Sequence, residues 1–159
     1  MVKGVPAIIL AAGASSRLGQ PKALIEWNDE TLVGRSVRLL QESGCNPIIV
    51  VTRSELQIDV MLSCPEATII VNPKPEEGRT GSLQVGLLSL ASELGRTPRR
   101  VLIAPVDRCG WNNETVSALL ECHNNTSPSP SGHPLLLCDI DKVLSLSKDA
   151  SLREQLEIT

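Results

Sequence analysis

The chain has 159 residues, a formal net charge of −3, 42% hydrophobic residues and 21% charged residues. This length predicts a single domain, residues 1–159, that buries about two thirds of its unfolded surface. The small negative charge excludes a general attraction to nucleic acid or to a membrane surface, and an aromatic content of 1% excludes the base-stacking surfaces of single-strand binders.

The first predicted strand, residues 5–10, runs directly into a loop of small residues that suits the binding of phosphate groups. Backbone amides in such a loop approach an anion closely. Here they belong to Ala11, Ala12, Gly13, Ala14 and Ser15. Arg17 and Lys22 supply positive charge where the chain leaves the loop. Five residues separate Gly13 from Gly19, a spacing that excludes both the ATPase phosphate loop and the dinucleotide fingerprint.

Apolar, β-branched segments recur along the chain and alternate with helical patterns. Strands are predicted at residues 5–10, 48–52, 68–71, 101–106 and 135–138. Helices are predicted at residues 31–43 and 54–62, along the leucine repeat 83–94 that ends at Gly95, after a cap at Asn113, and at 150–156. This alternation predicts an α/β fold with a mainly parallel sheet.

The loop after the third strand is the second candidate site segment. It contains two prolines and two glycines and leads into the leucine-rich helix. Asn72 and Ser82 are its rigid polar groups and are suited to contact a base or a ribose. An ordinary strand-to-helix connection, capped by Thr80 or Ser82, explains the pattern equally well.

A carboxylate follows the fourth strand, because Asp107 comes directly after the apolar segment 101–106. Mg2+ commonly takes one or two carboxylates together with phosphate oxygens, so a single aspartate at this position suits a magnesium ligand. A loop or helix-capping aspartate is the alternative. Because ligands bind at the carboxyl ends of strands in open α/β sheets, the loops after Leu10, Val71 and Val106 are expected to converge on one crevice.

The histidines and cysteines indicate no further catalytic centre. His123 and His133 lack metal-ligand spacing, although His133 lies at the start of a strand where it can contact a substrate. The five cysteines are scattered without a paired motif, which favours buried, unpaired thiols over a zinc site or disulfides. No segment approaches membrane-spanning length and no signal sequence is recognisable, so we expect a cytoplasmic protein without a membrane partner.

The loop motifs together resemble the molybdenum-cofactor nucleotidyltransferases of the glycosyltransferase-A-like superfamily. The nucleotide-triphosphate signature of that family is matched by Leu10-Ala11-Ala12-Gly13, Ser16-Arg17, Gly19 and Pro21-Lys22. Its base-side loop is similar to Asn72-Pro73, Gly78, Ser82-Leu83 and Gly86-Leu87. Pro105-Val106-Asp107 resembles the segment with the magnesium aspartate, and Gly132-His133-Pro134 resembles an acceptor-side segment. The resemblance covers about residues 5–156.

This resemblance implies a Rossmann-like three-layer sandwich and transfer of a nucleoside monophosphate to a phosphorylated small molecule, such as the molybdenum cofactor. Ala11-Ala12-Gly13 and Pro21-Lys22 look like the cytidylyltransferase branch, which favours CTP over GTP. The implied catalytic residues are Lys22, Arg17 and Asp107, and Asp107 binds Mg2+. The implied nucleotide-binding residues are Leu10, Ala11, Ala12, Gly13, Ala14, Ser15, Arg17, Lys22, Asn72, Gly81 and Ser82.

The chain also departs from the family pattern. Cys109 stands where relatives often have proline, and the closing acidic segment that usually supplies a second metal ligand has no counterpart. Asp139, Asp141 and Asp149 remain alternatives for that ligand. A sugar-phosphate nucleotidyltransferase and a non-catalytic nucleotide-binding domain therefore stay open as functions. Homo-oligomerisation also stays open.

Overall fold

Five strands form a central sheet, and four of them run in the same direction. In sheet order they are β5 (Thr68–Val71), β4 (Ile48–Thr52), β1 (Ala7–Ala11), β6 (Val101–Pro105) and β7 (Leu135–Leu137). Pairing is parallel from β5 to β6, and β7 is antiparallel to β6. This computed structural model describes residues 4–13, 22–106, 110–129 and 132–159. The sheet confirms the predicted α/β class.

Helices cover both faces of the sheet. One face carries α1 (Leu32–Glu42), α2 (Gln57–Ser63) and α4 (Asn113–Leu120), and the other carries α3 (Arg79–Leu94) and α5 (Ile140–Leu144). A short helix, α6 (Leu152–Gln155), lies close to the end of the chain. A small hairpin of β2 (Glu26–Trp27) and β3 (Glu30–Thr31) precedes α1. Single turns of 3-10 helix lie at Lys22–Leu24, Ser54–Leu56 and Pro75–Glu77. The predicted three-layer sandwich is confirmed.

The two faces of β1 show why the strands have continuous apolar sequences. Ile9 belongs to the core beneath α1, whereas Ile8 belongs to the core beneath α3, and both side chains are fully buried. A strand covered on both faces needs apolar residues at every position. On the second face α3 lies close to the sheet at Gly86, where a β-carbon would be only 3.0 Å from Ile8 and Val51. Helix α3 therefore packs directly against strands β1 and β4.

Several helix boundaries differ from the predicted ones. Asn112, rather than Asn113, caps α4, because its Oδ1 accepts a hydrogen bond from Thr115 N at 3.0 Å. Helix α3 begins after Gly78 with no side-chain cap, so the alternative in which Thr80 or Ser82 caps the helix is wrong. Both side chains bond to other segments. None of the described helices has the length and apolar character needed to cross a bilayer.

Asn125 ties the end of the chain to the sheet. Its Nδ2 donates to Asp139 Oδ2 at 2.7 Å and to Glu157 O at 3.2 Å, while its Oδ1 accepts from Cys138 N at 2.7 Å. The side chain is buried, so these bonds are shielded from water.

We expect Asn125→Ala to destabilise the protein strongly, since it leaves buried groups without partners. The predicted loss is about 2 to 4 kcal/mol in the free energy of unfolding, measured by urea denaturation. The exposed neighbour provides the control, because Asn124→Ala removes no buried bond and is expected to change stability by less than about 0.5 kcal/mol. Equal stability of the two variants would contradict this role.

Candidate functional site

The order of the strands creates a crevice between β1 and β6. From β1 the chain runs outward through β4 to β5, and it then returns to the other side of β1 as β6. In open α/β sheets such a reversal leaves a crevice outside the carboxyl ends of the two adjacent strands, and ligands bind there. The predicted site loops leave the sheet at this edge.

Three hydrogen bonds show that these loops begin side by side. Val106 N donates to Leu10 O at 3.0 Å, which joins the end of β6 to the end of β1. Thr52 Oγ1 donates to Ala11 O at 3.1 Å, and Asn72 N donates to Thr52 O at 2.8 Å. The segments that follow β1, β5 and β6 therefore start along one edge of the sheet, as the sequence predicts.

Asn72 and Ser82 form a buried polar pair on the β5 side of this edge. Asn72 Nδ2 donates to Ser82 Oγ at 2.9 Å, and Asn72 Oδ1 accepts from Lys74 N at 3.0 Å. The two residues are 5% and 4% exposed. These bonds fix the loop between β5 and α3, so the two predicted nucleotide contacts are brought together.

The start of α3 is covered by a segment from near the end of the chain. Gly81 N donates to Lys148 O at 3.2 Å, and Thr80 Oγ1 donates to Ala150 O at 2.6 Å. A β-carbon on Gly81 would be 3.3 Å from Lys148 Cβ, so the missing side chain permits this close approach. Since the Gly81 amide already has an acceptor, a nucleotide contact by that amide requires the 148–150 segment to withdraw.

The remaining predicted site residues are only partly covered by the structure. Leu10, Ala11 and Ala12 are buried at the end of β1, and Gly13 is exposed directly beyond it. Lys22 begins a turn of 3-10 helix, and only its backbone is described. Outside the described residues lie Ala14, Ser15, Arg17 and Asp107. Their assigned roles stay predictions.

The described carboxylates do not form a metal site by themselves. Nowhere in residues 4–13, 22–106, 110–129 and 132–159 do three potential metal ligands cluster. Asp139 Oδ2 accepts a hydrogen bond from Asn125, and Asp149 Oδ1 accepts one from Ser147 at 2.9 Å. Neither carboxylate is singled out as a second ligand, so that assignment stays open.

A pocket of about 230 Å³ lies on the other side of β1 from Asn72. Its apolar floor consists of Leu10, Leu83, Ile103 and Leu135, and Leu152 and Ile158 close it from the end of the chain. Arg79, His133 and Arg153 also line it. Sequence reasoning found His133 as an acceptor-side residue but missed both arginines, since nothing in the sequence links residue 79 to residue 153.

The described thiols are structural. Cys45 and Cys64 are buried, and burial raises the pKa of the Cys45 thiol to about 12 and that of Cys64 to about 11. A thiol with such a pKa carries almost no thiolate at neutral pH and is a poor nucleophile. Cys122 and Cys138 are half-buried and also unpaired. The prediction of small, buried, unpaired cysteines is therefore confirmed for Cys45 and Cys64.

Comparison with known proteins shows the family of this chain. The family model of the MobA-like NTP transferase domain matches residues 7–155. The chain belongs to this family. The match spans the small-residue loop, the Asn72 loop and the end of β6, so the resemblance seen in the sequence is confirmed.

Individual relatives are similar at modest identity. The molybdenum cofactor cytidylyltransferase of Escherichia coli is 28% identical over 141 residues, covering 86% of this chain and 71% of that protein. The molybdenum cofactor guanylyltransferase of Xanthomonas euvesicatoria is 28% identical over 153 residues, which cover 95% of this chain and 68% of that protein. Nicotine blue oxidoreductase of Paenarthrobacter nicotinovorans is 31% identical over 121 residues, which cover 75% of this chain and 57% of that protein. Relatives with different named activities therefore share this domain, and in the last of them it spans little more than half of the protein.

Solved structures share the fold. Rv0371C of Mycobacterium tuberculosis, crystallised with manganese, has a TM-score of 0.76 at 15% identity and covers 98% of this chain and 86% of its own. A 4-diphosphocytidyl-2C-methyl-D-erythritol synthase has a TM-score of 0.67 at 15% identity, and the match covers 93% of this chain and 82% of that protein. The sandwich described above is thus the fold found in known nucleotidyltransferases.

Proposed function

We propose that this protein transfers a nucleoside monophosphate, CMP from CTP, to a phosphorylated small molecule such as the molybdenum cofactor, and releases pyrophosphate. The observation that carries the proposal is the joined carboxyl edge of β1, β4, β5 and β6. The small-residue loop, the Asn72–Ser82 pair and the segment leading to Asp107 all start from this edge. Membership of the MobA-like NTP transferase family supports the same reaction class.

In the proposed reaction the acceptor phosphate is the nucleophile. One of its oxygens attacks the α-phosphorus in line, a new P–O bond forms, and the bond to the β-phosphate oxygen breaks with the electron pair leaving on pyrophosphate. A phosphate monoester has a second pKa of about 6, so it is already ionised at neutral pH and needs no strong base. The reaction therefore requires no catalytic histidine.

The chain's own contribution is binding and charge neutralisation. The amides from Ala12 to Ser15 hold the triphosphate, and Arg17 and Lys22 offset the negative charge that develops on the leaving pyrophosphate. Asn72 and Ser82 orient the nucleoside on the β5 side of the edge. The acceptor then approaches from the opposite side, beyond β6.

The end of β6 suits a magnesium ligand. Val106 N is bonded to Leu10 O, so residue 107 follows directly on a residue tied to the end of β1. Mg2+ usually takes only one or two carboxylates and completes its shell with water and phosphate oxygens, which one aspartate at this position satisfies. When bound by Asp107, Mg2+ would supply charge stabilisation to the phosphates. The manganese in the Mycobacterium tuberculosis neighbour is consistent with a divalent cation here.

Pyrophosphate release tests the proposal directly. The protein is incubated with CTP or GTP, Mg2+ and molybdopterin or a sugar phosphate, and pyrophosphate is measured by a coupled assay. We expect release with CTP and molybdopterin that depends on both. Release with a sugar phosphate but not with molybdopterin would show that the acceptor is a sugar phosphate. A nucleotide-induced rise in melting temperature without any release would instead favour a non-catalytic nucleotide-binding domain.

Ser82→Ala tests the nucleoside side of the site. The change leaves Asn72 Nδ2 buried without its acceptor, and the loop before α3 loses its fixed geometry. We expect the Kd of CTP to rise about tenfold, equivalent to about 1.4 kcal/mol, while kcat changes little. Ser89→Ala in the same helix is the matched control and should leave the Kd unchanged. An unchanged Kd in both variants would remove Ser82 from the nucleotide site.

A further inference from the structure

The two edges of the sheet differ in how their backbone groups are satisfied. At the β7 edge, Thr126 N donates to Leu136 O at 3.1 Å, and Thr126 O accepts from Leu136 N at 2.8 Å, so a neighbouring segment covers this edge. At the other end of the sheet order, β5 pairs with β4 on its inner side. No segment in the described part of the chain pairs with its outer side, which is therefore an open edge there.

The open backbone groups of β5 belong to Ile69 and Val71. Along a strand, successive residues direct their N–H and C=O groups to alternate sides within the sheet. Asn72 N donates to Thr52 O of β4 at 2.8 Å, so Ile70 also faces β4, and the residues on either side of it face outward. The described residues offer no partner to these outward groups. A strand edge of this kind is a template for pairing with another strand.

The surface around this edge is apolar. The last three residues of β5 are only partly buried, whereas β1, β4 and β6 are buried at every position. Helix α2 leads into β5 and packs against it, and its Ile58, Met61 and Leu62 are 72%, 48% and 76% exposed. Their spacing of three and four residues places them on one face of the helix. Since β5 contains no charged residue or proline that would discourage pairing, this surface suits burial against a partner.

Opposite charges lie at the two ends of β5 and indicate which partner fits. Glu66 precedes the strand, Lys74 follows it, and both side chains are exposed. Neither has an ion-pair partner among the described residues. In an antiparallel pair the start of one strand lies beside the end of the other. A second copy of this chain, antiparallel along β5, therefore brings Glu66 to the partner's Lys74, and the twofold symmetry repeats the contact.

A single register satisfies both the backbone groups and these charges. In the register that joins the charges, the open groups of Ile69 face those of the partner's Val71, so each such pair can exchange both N–H···O bonds. Displacing the partner by two residues in one direction places Glu66 opposite the partner's Glu76, where like charges repel. Displacing it in the other direction places Glu66 opposite the partner's Asn72, and the ion pair is lost. The sequence around β5 is thus complementary to itself.

We propose that two copies of this chain associate through β5 and form one continuous sheet about a twofold axis. Because the axis is perpendicular to the sheet, α2 and its copy lie on the same face, on either side of the axis. Their exposed apolar side chains are covered there, and this burial stabilises the dimer. The backbone bonds and the ion pairs fix the register. The association is independent of the nucleotidyl transfer proposed above and is tested without nucleotide.

Charge reversal tests the pairing by sedimentation velocity of the full chain in a dilution series from about 100 µM. We expect a dimer that dissociates on dilution. Glu66→Lys and Lys74→Glu each place like charges together and should raise the dimer Kd at least about tenfold. The double variant restores opposite charges and should return the Kd to within about threefold of the parent value. Glu121→Lys, the same change at the end of α4, is the matched control and should leave the Kd unchanged.

A second pair of variants tests the apolar contribution of α2. Leu62→Gln replaces an exposed apolar side chain on α2 and should raise the dimer Kd about tenfold. Leu88→Gln makes the same replacement on α3, on the other face of the sheet, where the leucine is 60% exposed, and should leave the Kd unchanged. Both side chains are exposed, so neither change disturbs the core, and melting temperatures of the dilute proteins verify this.

Amide hydrogen exchange identifies the backbone groups that take part. The amides of Ile69 and Val71 should exchange more slowly in the concentrated dimer than in the dilute monomer, whereas the Ile70 amide, which faces β4, should be protected in both. The proposal is overturned if the chain stays monomeric at about 100 µM. It is equally overturned if a dimer forms but neither the charge reversals nor the exchange of Ile69 and Val71 responds, because that dimer would use a different surface.

Discussion

Lys22→Ala is expected to lower kcat by about 100- to 1,000-fold, because in the proposed reaction it removes a positive charge that stabilises the leaving pyrophosphate. Such charge stabilisation acts chiefly in the transition state, so the CTP affinity should fall much less than the turnover. The backbone of Lys22 begins a turn of 3-10 helix, and replacing a charged side chain by alanine removes no apolar packing. The melting temperature is therefore expected to stay within about 2 °C of the parent value.

The measurement is a steady-state assay of pyrophosphate release over a range of CTP concentrations. Lys142→Ala, which removes an exposed lysine on α5, is the matched control and should retain full turnover. Lys22→Arg keeps the charge and should recover part of the loss. Near-normal turnover in Lys22→Ala would exclude Lys22 from the site.

Asp107→Asn is the second change with a large expected effect. The amide keeps the size of the side chain but loses the charge that a hard divalent cation requires, so turnover should fall by at least about 100-fold at saturating Mg2+. The activity that remains should need a higher Mg2+ concentration to reach its half-maximum. This shift in the Mg2+ activation curve distinguishes a lost ligand from a general disturbance of the fold.

The control for this change is Asp59→Asn, which removes an exposed carboxylate on α2. Its activity and its Mg2+ dependence should match those of the parent protein. The same assay resolves the second ligand, since Asn variants of Asp139, Asp141 and Asp149 can be compared directly. An unaltered Mg2+ curve in Asp107→Asn would refute the assignment of the metal to that residue.

The strands were predictable because they are buried on both faces. Such a strand needs apolar side chains at every position, and residues 48–52 therefore match β4 without error. Residues 68–71 also match β5, an edge strand that is only partly buried, because its sequence is β-branched throughout. The end of α3 was equally clear, because Gly95 adopts the left-handed conformation that ends helices. Local chemistry alone determines these features.

The unpredicted parts of the structure depend on contacts between distant residues. Helix α5 has only five residues and is held by Gln84, whose Nε2 donates to Val143 O at 2.9 Å and to Leu146 O at 2.8 Å. The cover over the start of α3 comes from Lys148 and Ala150, which are about seventy positions away in the chain. Short-range patterns carry no information about such pairs, so neither the engaged Gly81 amide nor the two arginines that line the pocket were predicted.

The candidate site likewise contains parts that local sequence predicts and parts that depend on contacts between distant residues. Sequence motifs predict the small-residue loop, Asn72, Ser82 and Asp107 as site residues. Asn72 directly follows β5, whereas Ser82 lies in the first turn of α3. The pocket combines residues of α3, β6, β7 and the terminal segment, and in the sequence only the Gly132-His133-Pro134 motif indicated it. The proposed nucleotide site is therefore predicted by local motifs, whereas the pocket depends on tertiary packing.

A crystal structure of the protein with CTP and Mg2+ tests the central claim most directly. The account predicts that the triphosphate lies on the amides from Ala12 to Ser15, with the side chains of Lys22 and Asp107 directed at the same nucleotide from opposite sides. A nucleotide bound elsewhere, or Lys22 and Asp107 on separate surfaces of the molecule, would contradict it.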